Sequence, residues 1–218
     1  MEYRKFNWIF FDLDGTLADS IPASYKIHTD FLAQFGITGD KKEFEELNGP
    51  SIPEIITALK TKYKLDADKN YLIDLYKGGI LDAYRNYIKP FDGLKDVLKE
   101  LKDRRYKLAL VTSADQEIAM GFIKNQKLEK YFQNYVFGNE VKKAKPDPEI
   151  YNLALKRANA SSDSVVVIED SYNGVKSAKK AGAFVIGLAN NQTKEELLNA
   201  GADKSVNELK EILPLLKV

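Results

Sequence analysis

Short apolar runs alternate along most of this 218-residue chain with stretches whose apolar residues recur every three or four positions. The runs Trp8–Leu13, Lys107–Val111, Tyr135–Phe137, Val165–Glu169 and Phe184–Leu188 have strand length, and a weaker sixth lies near Asp203–Val206. Between them Leu94–Arg104, Gln116–Asn125, Asp147–Ala158 and Ser171–Ala181 carry the helical period. Asp147-Pro148 and Ser171 read as helix starts, and Gly182 as a helix stop. Strands alternating with helices predict an α/β fold, a parallel sheet covered on both faces.

One segment departs from this rhythm. From about Ile21 to Lys89 no strand pattern occurs, and helical periods run through Ile21–Phe35, Lys41–Leu47, Ile52–Tyr63 and Asp68–Ile88. Pro90-Phe91-Asp92-Gly93 then punctuates the return to alternation. The expected organisation is an α/β core formed by residues 1–17 and 90–218, interrupted by a helical subdomain at 18–89.

Composition narrows the chemistry. Lys and Arg number 33 and Asp and Glu 32, so the net charge of +1 offers no basic surplus for nucleic acid. Without cysteine there is no disulfide, thiolate metal site or thiol nucleophile. The single histidine, His28, excludes a two-histidine metal site and is expected on a helix surface or in the core of the helical segment. The charged stretch Met1–Asn7 and the short apolar run Trp8–Phe11 resemble neither a signal segment nor a membrane span. The expectation is a cytoplasmic protein without membrane partners, a monomer or small homo-oligomer.

The strand ends carry the chemistry. The first strand leads into Asp12-Leu13-Asp14-Gly15-Thr16-Leu17. Alternate residues of an extended segment share a side, so Asp12 and Asp14 are placed to face one pocket. In an open parallel sheet the carboxyl ends of the strands form the ligand crevice. Carboxylates crowded there repel unless they share a proton or a cation, and Mg²⁺ with its preference for oxygen ligands suits them. Asp-Gly is equally the signature of a plain turn. The second strand runs into Thr112-Ser113-Ala114, suited to a phosphate oxygen or to a helix cap. Lys145 stands in Lys143-Ala144-Lys145-Pro146-Asp147-Pro148, a point charge on a proline-stiffened loop or a solvated lysine. A later strand ends in Glu169-Asp170-Ser171, again acidic or again a cap. Acid, hydroxyl, base and acid arriving in this order at one sheet edge are hard to explain by caps.

Together these segments resemble the motifs of the haloacid dehalogenase superfamily of phosphotransferases, and the similarity runs from Phe10 to about Leu213. The helical insertion is similar to the cap of the subfamily containing phosphoglycolate phosphatase, sugar phosphatases and β-phosphoglucomutase. The stretch Glu169-Asp170-Ser171-Tyr172-Asn173-Gly174-Val175 resembles the sugar-phosphate branch. The resemblance implies a Rossmann-like, doubly wound core with an inserted cap, and a Mg²⁺-dependent phosphatase acting on a small phosphorylated metabolite. It implies Asp12 as nucleophile forming an aspartyl-phosphate and Asp14 as general acid/base. Mg²⁺ would be held by Asp12, Asp14 (through its backbone carbonyl) and Asp170, with Glu169 as a further or outer ligand. Thr112, Ser113 and Lys145 would hold the phosphoryl oxygens.

The resemblance also frames the rivals. Asp14 speaks against a dehalogenase. A phosphomutase of this type would carry a cap histidine where Ser24 stands, with His28 one helical turn further on. A non-catalytic phosphorylation switch would share the acids, hydroxyl and lysine but at about half this length and without an insertion. The cap is expected to close over the phosphate, and Asn48, Gly49, Pro50 and Ser51 resemble its specificity loop or form a plain turn between helices.

Overall fold

A computed structural model of the chain describes residues 6–47 and 51–216. The structure divides into two compact units, one ending at Asp19 and resuming at Pro90, the other Ser20–Lys89.

The first unit is built on six parallel strands: β1 (Trp8–Phe11), β2 (Lys107–Val111), β3 (Asn134–Val136), β4 (Val165–Glu169), β5 (Phe184–Leu188) and β6 (Lys204–Val206). Their order is β3-β2-β1-β4-β5-β6. The chain thus winds outward from β1 through β2 to β3, then returns to the other side of β1 for β4. The point of reversal lies between β1 and β4, where open α/β sheets form their ligand crevice.

Both sheet faces are buried, which is why the strands read as continuous apolar runs. On one face Trp8, Phe10, Ala109, Val111, Val165, Val167 and Val185 join a single apolar cluster with Ile150, Tyr151, Val175 and Leu197. These last come from α7 (Glu149–Ala158), α8 (Tyr172–Lys180) and α9 (Lys194–Asn199). The alternate residues Ile9, Phe11, Leu108, Leu110, Val166 and Ile168 are equally buried. The unit also contains α5 (Leu94–Asp103) and α6 (Gln116–Asn125), whose apolar residues Leu94, Leu98, Leu101, Phe122 and Ile123 are fully buried or nearly so. Helix α9 lies in a polar stretch with no apolar period, yet Thr193 and Glu196 form a reciprocal capping box there.

The described residues of the second unit form four helices and no strand: α1 (Ile21–Ala33), α2 (Lys41–Glu46), α3 (Ile52–Tyr63) and α4 (Lys69–Asn86). Its core is partly aromatic, with Phe31 edge-on to Phe35 and to Tyr76 at centroid distances of 5.4 and 5.2 Å. His28 is fully buried, so the helix-surface alternative for it is wrong. Its Nε2 lies 3.0 Å from Glu43 Oε1, and Lys62 and Tyr63 donate to the other oxygen of the same carboxylate. Burial alone would raise the Glu43 pKa, but these hydrogen bonds outweigh it and hold it below the usual value. Ser51 starts α3, where its amide and hydroxyl both donate to Glu54 at 2.7 and 2.6 Å. The other residues of the expected specificity loop, Asn48, Gly49 and Pro50, lie outside the described residues. No described helix is long and apolar enough to cross a membrane.

Candidate active site

Strand β1 ends at Phe11, earlier than the apolar pattern predicts. The Leu13 carbonyl accepts from the amides of Thr16, Leu17 and Ala18 at 3.3, 2.8 and 2.9 Å, which turns the chain back on itself. Gly15 makes this possible with a φ of +74°, a left-handed conformation that glycine adopts without strain. A Cβ at Gly15 would also fall 1.9 Å from Asp170 Oδ2, so the loop and the end of β4 are in close contact. Asp12 and Asp14 are therefore not alternate residues of one continuing strand. Asp12 follows β1 directly, whereas Asp14 lies in the turn and bridges to Ala18. Asp14 still acts on the site through space, its charge raising the pKa of both Asp12 and Asp170.

Sheet register supplies the next contact. Phe11 pairs with Leu110 on one side and Ile168 on the other, so the following residue, Asp12, stands beside Glu169. The Asp12 amide donates to the Ile168 carbonyl at 3.1 Å. Thr112, fully buried, follows β2 at the same edge, and its Oγ1 accepts from the Ala114 amide at 3.0 Å. Ser113 is exposed, and its carbonyl lies where a Cβ of Gly138 would stand.

Lys145 reaches the acids from the loop that precedes α7. Ser177 Oγ donates to the Asp147 carbonyl at 2.6 Å and Lys180 Nζ to the Pro146 carbonyl at 3.0 Å, tying that loop to α8. Lys145 Nζ then lies 2.7 Å from Asp12 Oδ1 and 2.6 Å from Glu169 Oε1. Glu169 is held from every side. The Tyr151 hydroxyl donates to Oε1 at 2.9 Å, and the Ser171 amide and hydroxyl donate to Oε2 at 3.2 and 3.0 Å. Ser171 also caps α8 by accepting from the Gly174 amide at 3.0 Å.

The electrostatics follow from burial and crowding. Asp12 is pushed up to about 8, chiefly by burial and then by the charges of Glu169 and Asp14, with Lys145 opposing. Burial, then Glu169 and Asp12, hold Asp170 well above the carboxylate range. Burial would lower Lys145, but the carboxylates of Asp12 and Glu169 prevail and keep it an ammonium. Tyr151 is raised by burial and by Glu169, so it stays a phenol donor. Oxygens of Asp12, Glu169 and Asp170 lie within 4.8 Å of one another, all on buried side chains. Lys145 is the ammonium set against these acids. A hard divalent cation fits this donor set, since carboxylates that retain protons when crowded lose them to a metal that shares the charge.

A family model for haloacid dehalogenase-like hydrolases matches residues 9–188. The chain belongs to that family. It is an enzyme, a hydrolase of phosphatase type. A phosphorylated carbohydrates phosphatase of Thermotoga maritima is 34% identical over 217 residues, spanning 94% of this chain and 99% of that protein. A fructose-1-phosphate phosphatase of Escherichia coli is 28% identical over 85% of this chain and 98% of its own length. Among solved structures, a Thermotoga maritima protein provisionally described as a beta-phosphoglucomutase superposes with a TM-score of 0.81 at 32% identity. That likeness covers 97% of this chain and 98% of the other.

The structure thus brings Asp12, Glu169, Asp170 and Lys145 into one buried cluster, with Thr112 at the same strand edge. Several neighbours escaped the reading of the sequence. Tyr151 reads there as one more apolar position of α7, and its hydroxyl was the only signal. Asn190, just beyond β5, donates to the Gly15 carbonyl at 2.8 Å, and its one signal is its place at a strand end. The Thr16 hydroxyl is wholly buried and has no hydrogen-bond partner among the described residues.

Proposed function

We propose that this phosphatase hydrolyses a small phosphorylated carbohydrate or related metabolite in a Mg²⁺-dependent reaction through an aspartyl-phosphate on Asp12. The observation that supports this most directly is the buried trio Asp12, Glu169 and Asp170, with Lys145 bridging Asp12 and Glu169 at the sheet's point of reversal. The substrate class follows two of the relatives, the phosphorylated carbohydrates phosphatase at 34% identity and the fructose-1-phosphate phosphatase at 28%, whereas others of 26–28% identity are named pyrophosphatases.

Asp12, Asp170 and the Asp14 carbonyl would hold the cation, with Glu169, whose oxygens already accept from Lys145, Tyr151 and Ser171, as an outer partner. When bound, Mg²⁺ supplies the positive charge that lets an anionic nucleophile approach an anionic phosphate. A carboxylate oxygen of Asp12 attacks phosphorus, the bond from phosphorus to the leaving oxygen breaks, and Asp14 gives that oxygen its proton. Asp14 then takes a proton from the water that attacks the aspartyl-phosphate, which frees inorganic phosphate and restores Asp12. Lys145, Thr112 and the Ser113 amide hold the transferring oxygens, where charge spreads during transfer. Lys145 is suited to this because its charge is fixed beside Asp12 before substrate arrives.

The likeness to the Thermotoga maritima structure gives a sugar phosphomutase as the second reading. Against it, Ser24 spends its hydroxyl on the Ser20 carbonyl at 2.9 Å, one turn earlier in the chain. One experiment separates the two. Phosphate release with Mg²⁺ is measured over sugar phosphates, phosphoglycolate, glycerol phosphates and nucleoside monophosphates, with Asp12→Asn as the blank. Release above the blank, strongest on sugar phosphates, is the expected result. Isomerisation of a sugar 1-phosphate in the presence of a bisphosphate, without net release, would replace the phosphatase by the mutase.

A further inference from the structure

Tyr151 is 1% exposed and lies on the face of α7 that packs against the sheet. Burying a phenol there rather than an apolar ring is costly unless its hydroxyl is paired, and the pairing goes into the active site. The hydroxyl meets Glu169 Oε1 at 2.9 Å, the oxygen that Lys145 also reaches at 2.6 Å. The same ring presents its face to the lysine, whose Nζ lies 5.2 Å from the ring centroid. A carboxylate oxygen has two acceptor positions, and those of Oε1 are taken by Lys145 and Tyr151 while Ser171 fills Oε2. Glu169 therefore cannot rotate without breaking bonds on both oxygens.

We propose that Tyr151 is a positioning residue for Lys145: its hydroxyl locks Glu169 Oε1 and its ring face backs the ammonium, which fixes Nζ beside Asp12. A lysine has four flexible bonds and donates as a point charge, so nothing in its own side chain sets its direction. Tyr151 and Glu169 supply that direction. The function of this placement rests on the phosphatase reading, whereas the placement itself does not.

Two variants and two readouts test it. Tyr151→Phe keeps the ring and removes the donor; Tyr151→Leu removes both. The first readout is hydrolysis of the best sugar phosphate, with inorganic phosphate affinity measured by calorimetry in Mg²⁺. The second is the Lys145 ε-CH₂ resonance of the metal-free protein, assigned by its loss in Lys145→Arg. A ring face beneath the lysine shifts that resonance upfield. The expected result for Tyr151→Phe is a kcat about tenfold lower, KM within a factor of about three, and unchanged melting, as for a reacting group misplaced by less than an ångström. The Lys145 signal should remain upfield but broadened in Tyr151→Phe and return to the ordinary lysine position in Tyr151→Leu. Wild-type kcat and phosphate affinity in Tyr151→Phe would overturn the proposal. So would an activity loss accompanied by lower melting with the Lys145 signal sharp in Tyr151→Phe and still upfield in Tyr151→Leu, which is what a merely structural tyrosine gives. Failure of the wild type to release phosphate from any monoester would instead refute the phosphatase reading, and the resonance would still report whether Tyr151 places Lys145.

Discussion

Gly174 stands so close to Glu169 that a Cβ on it would fall 1.9 Å from Oε1 and 2.0 Å from Cδ of that carboxylate. Helix α8 thus begins flush against the acid that closes β4. Replacing glycine by alanine inside a helix ordinarily stabilises by about 0.5–1 kcal/mol. Here the added methyl must displace a side chain held by Lys145, Tyr151 and Ser171. Gly174→Ala is therefore expected to destabilise and to lower kcat/KM at least tenfold, as read by melting and steady-state hydrolysis. A variant that melts higher than the wild type with normal activity would show that Glu169 moves freely.

Asp14 lies in the turn after β1 rather than on the strand, close enough for its charge to be felt by Asp12 and Asp170. In the proposed role of proton donor to the leaving oxygen, it should matter most for poor leaving groups. Asp14→Asn should lower kcat on a sugar phosphate by about 10²–10⁴-fold, and far less on p-nitrophenyl phosphate, whose leaving oxygen needs no proton. Equal losses on both substrates would remove Asp14 from the acid role.

Binding of the proposed cation by the crowded carboxylates would be a stability effect. A cation that binds only the folded chain stabilises by about 2.7 kcal/mol at a hundred times its dissociation constant. Mg²⁺ is expected to raise the melting temperature at neutral pH, and Asp170→Asn to blunt that rise. Activity should vanish in excess EDTA and return with Mg²⁺. Melting insensitive to Mg²⁺, together with full activity in EDTA, would exclude the trio as a metal site.

In the helical unit, Glu43 accepts from His28, Lys62 and Tyr63, and its pKa lies below the usual value. A carboxylate whose folded pKa is depressed stabilises above its unfolded pKa of about 4.3 and loses that contribution as pH falls through the folded value. Glu43→Gln should therefore melt well below the wild type at pH 7, with the gap closing as the pH approaches 3. A gap independent of pH would mean that shape rather than charge makes Glu43 matter.

The legible part of this protein was local. Strand and helix positions follow from a period of two or of three to four residues, and the acids at the ends of β1 and β4 could be seen to belong at one sheet edge. Capping chemistry was also legible where it follows a rule, as at Ser171; the box of Thr193 and Glu196 carried the same signal without an apolar period to draw attention to it. The turn after Phe11 was not. An extended reading of Asp12-Leu13-Asp14 was locally reasonable, but three amides converging on the Leu13 carbonyl outweighed it.

The sequence by itself determined the α/β class, the helical interruption and which residue types could meet a phosphate. Only the tertiary structure decided who touches whom. Lys145 and Asp12 are 133 positions apart, and they meet because the chain returns to the other side of β1 for β4 and anchors the Lys145 loop on α8. Tyr151 against Glu169 and His28 against Glu43 arise in the same way, from elements packed together after they form. Periodicity reports which face of an element is apolar. It carries no information about which buried polar atom will face which, because that depends on register and packing between segments far apart in the chain.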